Sequence, residues 1–110
     1  MDVSKLRPAD DIRLEQAKEK IKAMDNEYWN ALAKEIRVAG DIFNNDPSPR
    51  TEYEAQKSVL KFEIAEIKYY GYEGIINSPN RQQEITADVL KKIQEKEKQI
   101  EVLKHIQIQK

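Results

Sequence analysis

A chain of 110 residues fits one domain, and 39% hydrophobic residues support a modest core, while 35% charged residues, three glycines and four prolines lean toward long helices. Lys+Arg 19 against Asp+Glu 20 leaves a net charge of −1, which excludes a global field that would draw the chain onto nucleic acid or an anionic membrane. Zero cysteines removes disulfides, thiolate nucleophiles and zinc-thiolate sites together.

The opening "MDVSKLRPADD" lacks the apolar core of a signal peptide, and no run approaches the ~18 apolar residues that span a bilayer. A soluble, cytoplasmic protein without membrane contact is expected.

The first element runs from about residue 10 to 44. Leu14, Ala17, Ile21, Met24, Tyr28, Leu32, Ile36, Ala39 and Phe43 recur in steps of three or four and wind into one stripe, which predicts a single long helix. Pro8, Asp10 and Asp11 supply its start, because proline and carboxylates both suit a helix's first turn. "NNDPSP" stops it, since the residue before a proline is pushed from helical angles.

A second helix is expected over about 49–70. Its start is Ser48 before Pro49, or Thr51 with Glu54 reaching back as a capping box. Tyr53, Leu60, Ile64 and Ile67 share one face, and Ala55, Phe62, Ala65 and Tyr69 lie nearly opposite. A helix apolar on two sides is covered on two sides, which places it in the middle of the assembly.

"GYEGIINS" over 71–78 reads as a turn, with Gly71 as a left-handed cap behind Tyr70 and Gly74 turning the chain again. Tyr69 continues an apolar face into the core. Tyr70 and Tyr72 flank the glycine, where rigid amphipathic rings also suit a recognition surface, and Trp29 at the edge of the first stripe suits an interface anchor.

A third helix follows over about 79–108, with Ile85, Val89, Ile93, Ile100, Leu103 and Ile106 on one stripe and Lys92, Lys96 and Gln99 interrupting it. Such polar breaks set register in coiled-coil partners, and lysine stems also lie along apolar surface with their heads in water. The second and third segments share Ser-Pro, a Glu six residues after the Ser, and Val-Leu-Lys at a spacing of 30. Two copies of a helix-start signal in a biased alphabet account for this.

Catalytic signatures are scarce. His105 is the only histidine, with Glu101 one turn earlier, and no Glu-x-x-His pair from several helices accompanies it. No phosphate loop, Ser/His/Asp set or calcium loop occurs, so no cofactor or metal is implied. Lys91, Lys92, Lys96 and Lys98 could meet nucleic acid, with Glu95 and Glu97 interleaved.

"KEKIKAMDNEYWNALAKEIRVAGDIF" resembles the first helix of the small all-helical chorismate mutases, through Ile21, Met24, Asp25, Tyr28, Trp29, Leu32 and Ala33, with Arg50 and Glu52 resembling that family's Arg-Glu pair. The resemblance implies a helical enzyme with Lys18, Arg50 and Lys57 converging on a dicarboxylate. Lys18, Glu35 and Asp46 stand where that family places Arg, Arg and Lys, and the reversed charges argue against the activity.

The sequence therefore predicts an all-α, elongated three-helix bundle with a long first helix and a coiled-coil-like third. The expected role is a non-enzymatic interaction or assembly module that binds a protein partner or itself, as a homodimer. Its expected contact residues are Trp29, Tyr70, Tyr72, Lys92, Lys96 and Gln99, and a nucleic-acid accessory role is the alternative.

Overall fold

α1 (Pro8–Ala23), α2 (Asn26–Asn45), α3 (Pro49–Asn77) and α4 (Gln82–Gln107) follow one another, with a short 3-10 turn at Pro79–Arg81 leading into α4. The computed structural model describes residues 8–107, and side chains from Leu14 to Ile106. Among the described residues every regular element is helical, so the all-α reading holds.

The single helix expected over 10–44 is two helices. Asp25 leaves helical geometry, with φ −82° and ψ −174°, and its side chain accepts the Tyr28 N–H at 3.0 Å. A short carboxylate that gives an amide a partner outside the helical ladder favours a cap over a helix interior, by about 1 kcal/mol relative to Ala. The apolar stripe nonetheless continues across the break: Ala17 and Met24 are buried, and Tyr28, Leu32, Ile36, Ala39 and Phe43 are half-buried. Both halves lie against α3.

Asp46 closes α2 by donating its N–H to the Ile42 carbonyl, and Ser48 opens α3 two residues later. Ser48 accepts the Thr51 N–H at 3.1 Å while Thr51 accepts the Ser48 N–H at 2.9 Å, a reciprocal cap with Pro49 in the first turn. The first of the two expected starts is the one used.

The turn expected over 71–78 is helix. α3 runs through Gly71 and Gly74 to Asn77, and no glycine among the described residues has a positive φ. The helix stops at Ser78, which precedes Pro79 and makes no side-chain cap, and α4 begins at Gln82 rather than 79. The expected end at 108 lies outside the described residues.

α3 lies against α1, α2 and α4, and no other pair of these four helices packs along its length. The expected three-helix bundle is therefore a four-helix layer with α3 in its middle. Its extents are 65 × 29 × 15 Å and its radius of gyration is 18.0 Å, against about 13 Å for a compact chain of this length. A single layer has little interior: Ala17, Met24, Tyr53, Leu60, Ala65 and Ile75 form the buried apolar core, and among the described residues no large side chain is completely enclosed.

Candidate interaction surface

α3 meets its neighbours by different means on its two flanks. Toward α2, the Trp29 indole packs edge-on to Phe62 at 5.4 Å and to Tyr69 at 5.8 Å, and Tyr28 and Tyr70 extend the cluster at 5.4 and 5.5 Å from their ring neighbours. Such edge-to-face pairs add about 0.5–1.5 kcal/mol each beyond area burial. Toward α4, a methyl placed on Gly71 would come within 2.4 Å of Val89 Cγ2, and one on Gly74 would touch Ile85 at 3.4 Å. Gly71 is thus required by a close helix approach.

Grooves lie on both flanks of α3. Between α3 and α4 lies one of about 630 Å³ whose floor includes Gly71, Gly74 and Val89. Its rim is charged: Lys96 donates to Glu63, Lys92 pairs with Asp88 at 3.0 Å, and Arg81 grips Glu84 through two N–H groups. The Arg81 guanidinium holds the Glu84 carboxyl below the usual carboxylate range. Between α2 and α3 lies a groove of about 340 Å³ lined by Val38, Ala39 and Ile42 with Arg50, Glu54 and Ser58. Val38 and Ile42 are 44% and 51% exposed.

The six residues singled out from sequence do not form one site. Trp29 is half-buried in the aromatic cluster, and Tyr70, 64% exposed, caps that cluster at the solvent edge. Tyr72 is half-buried beside Tyr28, and burial together with that neighbour pushes its phenol up from 10.0. Lys92 and Lys96 belong to the α3–α4 groove, while Gln99 borders a separate apolar depression with Val102 and Leu103 on α4. The structure brings together Tyr70, Lys92 and Lys96 around one groove and Tyr70 with Trp29 around a smaller one, and leaves Tyr72 and Gln99 elsewhere.

Lys18, Arg50 and Lys57 stand apart. Lys18 pairs with Glu15 on α1, Lys57 lies 5.6 Å over the Tyr53 ring, and Arg50 faces Val38 and Ile42 at the far end of α2, which is about 30 Å long. Glu101 and His105 are both exposed in the last turns of α4.

Following apolar residues alone overlooks the charge order of α3. Arg50 and Lys57, like Lys61 and Lys68, are seven apart, and Glu52, Glu66 and Glu73 fall on another seven-residue series through Val59. Seven residues are nearly two helical turns, so each series is a row along one side of α3. That spacing was the available signal. No protein-family model matches the chain, and no curated protein or solved structure matches it. Among the described residues no helix is long and apolar enough to cross a membrane.

Proposed function

We propose that this protein is a non-enzymatic helical assembly module whose broad faces bind protein, in the first instance a second copy of itself. One observation carries the reading: in a domain only 15 Å across its shortest extent, Val38, Ile42, Val59, Tyr70, Leu90 and Val102 stay exposed at 41–64%. Large apolar side chains spread over both faces of a thin domain are the surface that association buries. On α4 the stripe begins with Ile85 and Val89 against α3, and Leu90, Val102 and Ile106 are the large apolar side chains that stay exposed.

Tyr70 is the principal anchor in this reading, because it projects a rigid ring from a packed cluster at low entropic cost. Trp29 supports it through Tyr69, whereas Tyr72 lies apart beside Tyr28. Lys92 and Lys96 form a polar rim that gives register rather than affinity, and Gln99 borders a second contact patch with Val102 and Leu103.

Light scattering on a sizing column, at several concentrations, tests the proposal. Assembly that grows with concentration and weakens in Tyr70→Ala supports it. A monomer at every concentration that also captures no protein partner would remove it.

A further inference from the structure

α3 sorts its charges by sign around its circumference. At about 100° per residue, Arg50, Lys57, Lys61 and Lys68 fall within one narrow sector, and Glu52, Glu63, Glu66 and Glu73 centre on the opposite side. Glu54, the remaining carboxylate of the helix, stands at the edge of the cation sector. Each row runs for roughly 27–32 Å at about 1.5 Å per residue.

The flanking helices make these two rows surface on different faces of the layer. Lys61 pairs with Glu35 of α2 at 2.6 Å, and Arg50 lines the groove with Val38 and Ile42, which places these two members of the cation row on the α2–α3 groove side, and the helical spacing carries Lys57 and Lys68 along the same sector. Glu63 pairs with Lys96 of α4, and Glu66 lines the other groove with Tyr70, which fixes the acid row on the α3–α4 groove side. Each groove is lined by both signs, Glu35 and Glu54 beside Arg50 in one and Arg81, Lys92 and Lys96 beside Glu66 in the other, so the sorting by sign belongs to α3 itself: its cation row lies toward Val38 and Ile42, its acid row toward Val59 and Tyr70.

We propose that copies of this chain stack front to back, the cation row of one α3 over the acid row of the next. The inference rests on the self-association proposed above and adds its geometry. A two-fold pairing through either face would set each row against its own copy, opposing like charges, whereas front-to-back contact pairs them. The area suffices: a face of 65 × 29 Å exceeds the ~800 Å² per partner of a standard interface. Because such a contact uses two different surfaces, it leaves a free face at each end and extends beyond a dimer.

Sedimentation velocity on the full chain, over a range of concentrations and at low and high salt, tests this. The wild type is expected to form species larger than a dimer that shrink as salt rises. Lys57→Glu with Lys68→Glu, and separately Glu66→Lys with Glu73→Lys, should each raise the concentration for half-assembly about tenfold. Lys68 and Glu73 are exposed, and Lys57 and Glu66 are half-buried with their charged ends in reach of solvent, so circular dichroism of each variant should match the wild type. Mixing the two variants should restore species beyond the dimer, since each then offers both complements of the other. Assembly that ignores both variants, or a mixture that closes at a dimer, overturns the stacking geometry while self-association stands. A wild-type monomer at all concentrations overturns both. Binding of a short DNA duplex that is lost in the Lys57/Lys68 variant, with assembly unchanged, assigns the cation row to nucleic acid and also overturns the proposal.

Discussion

On its α2 flank α3 presents Phe62 and Tyr69 to the Trp29 indole; on its α4 flank it presents Gly71 and Gly74 to Val89 and Ile85. One flank gains contact by adding ring volume, the other by removing side chains so that the helices approach. The first tolerates small displacements, because edge-to-face rings can slide with little loss. The second is tight at Gly71, where a methyl would meet Val89 Cγ2 at 2.4 Å, and looser at Gly74, where it would make ordinary contact with Ile85 at 3.4 Å.

The largest effect is expected from emptying the aromatic flank. Trp29→Ala should cost about 3 kcal/mol, at the lower end for large aromatic truncations because the ring is half-buried. Urea unfolding followed by circular dichroism reads it, and an unchanged midpoint would show that the glycine flank alone holds the layer.

Gly71→Ala comes next. Alanine improves helix propensity by about 1 kcal/mol, but overpacking against the stiff, β-branched Val89 costs about 1–3 kcal/mol. We expect a net loss that Val89→Ala partly relieves in the double variant. A stabilised Gly71→Ala would mean that α3 and α4 lie farther apart in solution.

Gly40 supplies the control, since a methyl there meets nothing within 4 Å. Gly40→Ala should raise stability by about 0.5–1 kcal/mol through propensity and a less flexible unfolded chain. The opposite signs of two Gly→Ala changes, measured in the same thermal melt, isolate the close approach from propensity.

The smallest effect is alkaline. Tyr72 sits beside Tyr28 with its phenol raised from 10.0, so above that pH the unfolded chain releases this proton more readily than the folded one. Stability from this group is intact below pH 10 and is lost as pH rises through the higher folded value. Tyr72→Phe should flatten the fall in melting temperature above pH 10, and an identical fall in both proteins would trace it to other groups.

Much of this architecture was legible in the residues. The stripe from Leu14 to Phe43 appears on the covered side of α1 and α2 as read, and the two-faced second segment does occupy the middle of the layer. The misreadings share a cause. Asp25 looks tolerable inside a helix until its side chain is seen to hold the Tyr28 N–H, and Gly71 looks like a terminator until Val89 is seen against it. Ser48-Pro49 and Ser78-Pro79 read as the same signal, yet Ser48 caps α3 while Ser78 ends it without a side-chain cap.

The sequence by itself determined the helical class, the apolar stripes, the proline stops and the charge rows of α3, because these follow from periodicity and backbone chemistry within a few turns. Only the tertiary structure decided that the helices lie side by side in one layer, that Gly71 and Gly74 stay helical, and that the charge rows emerge on opposite faces. Those outcomes depend on which neighbour covers which side of α3, and no local pattern specifies a neighbour.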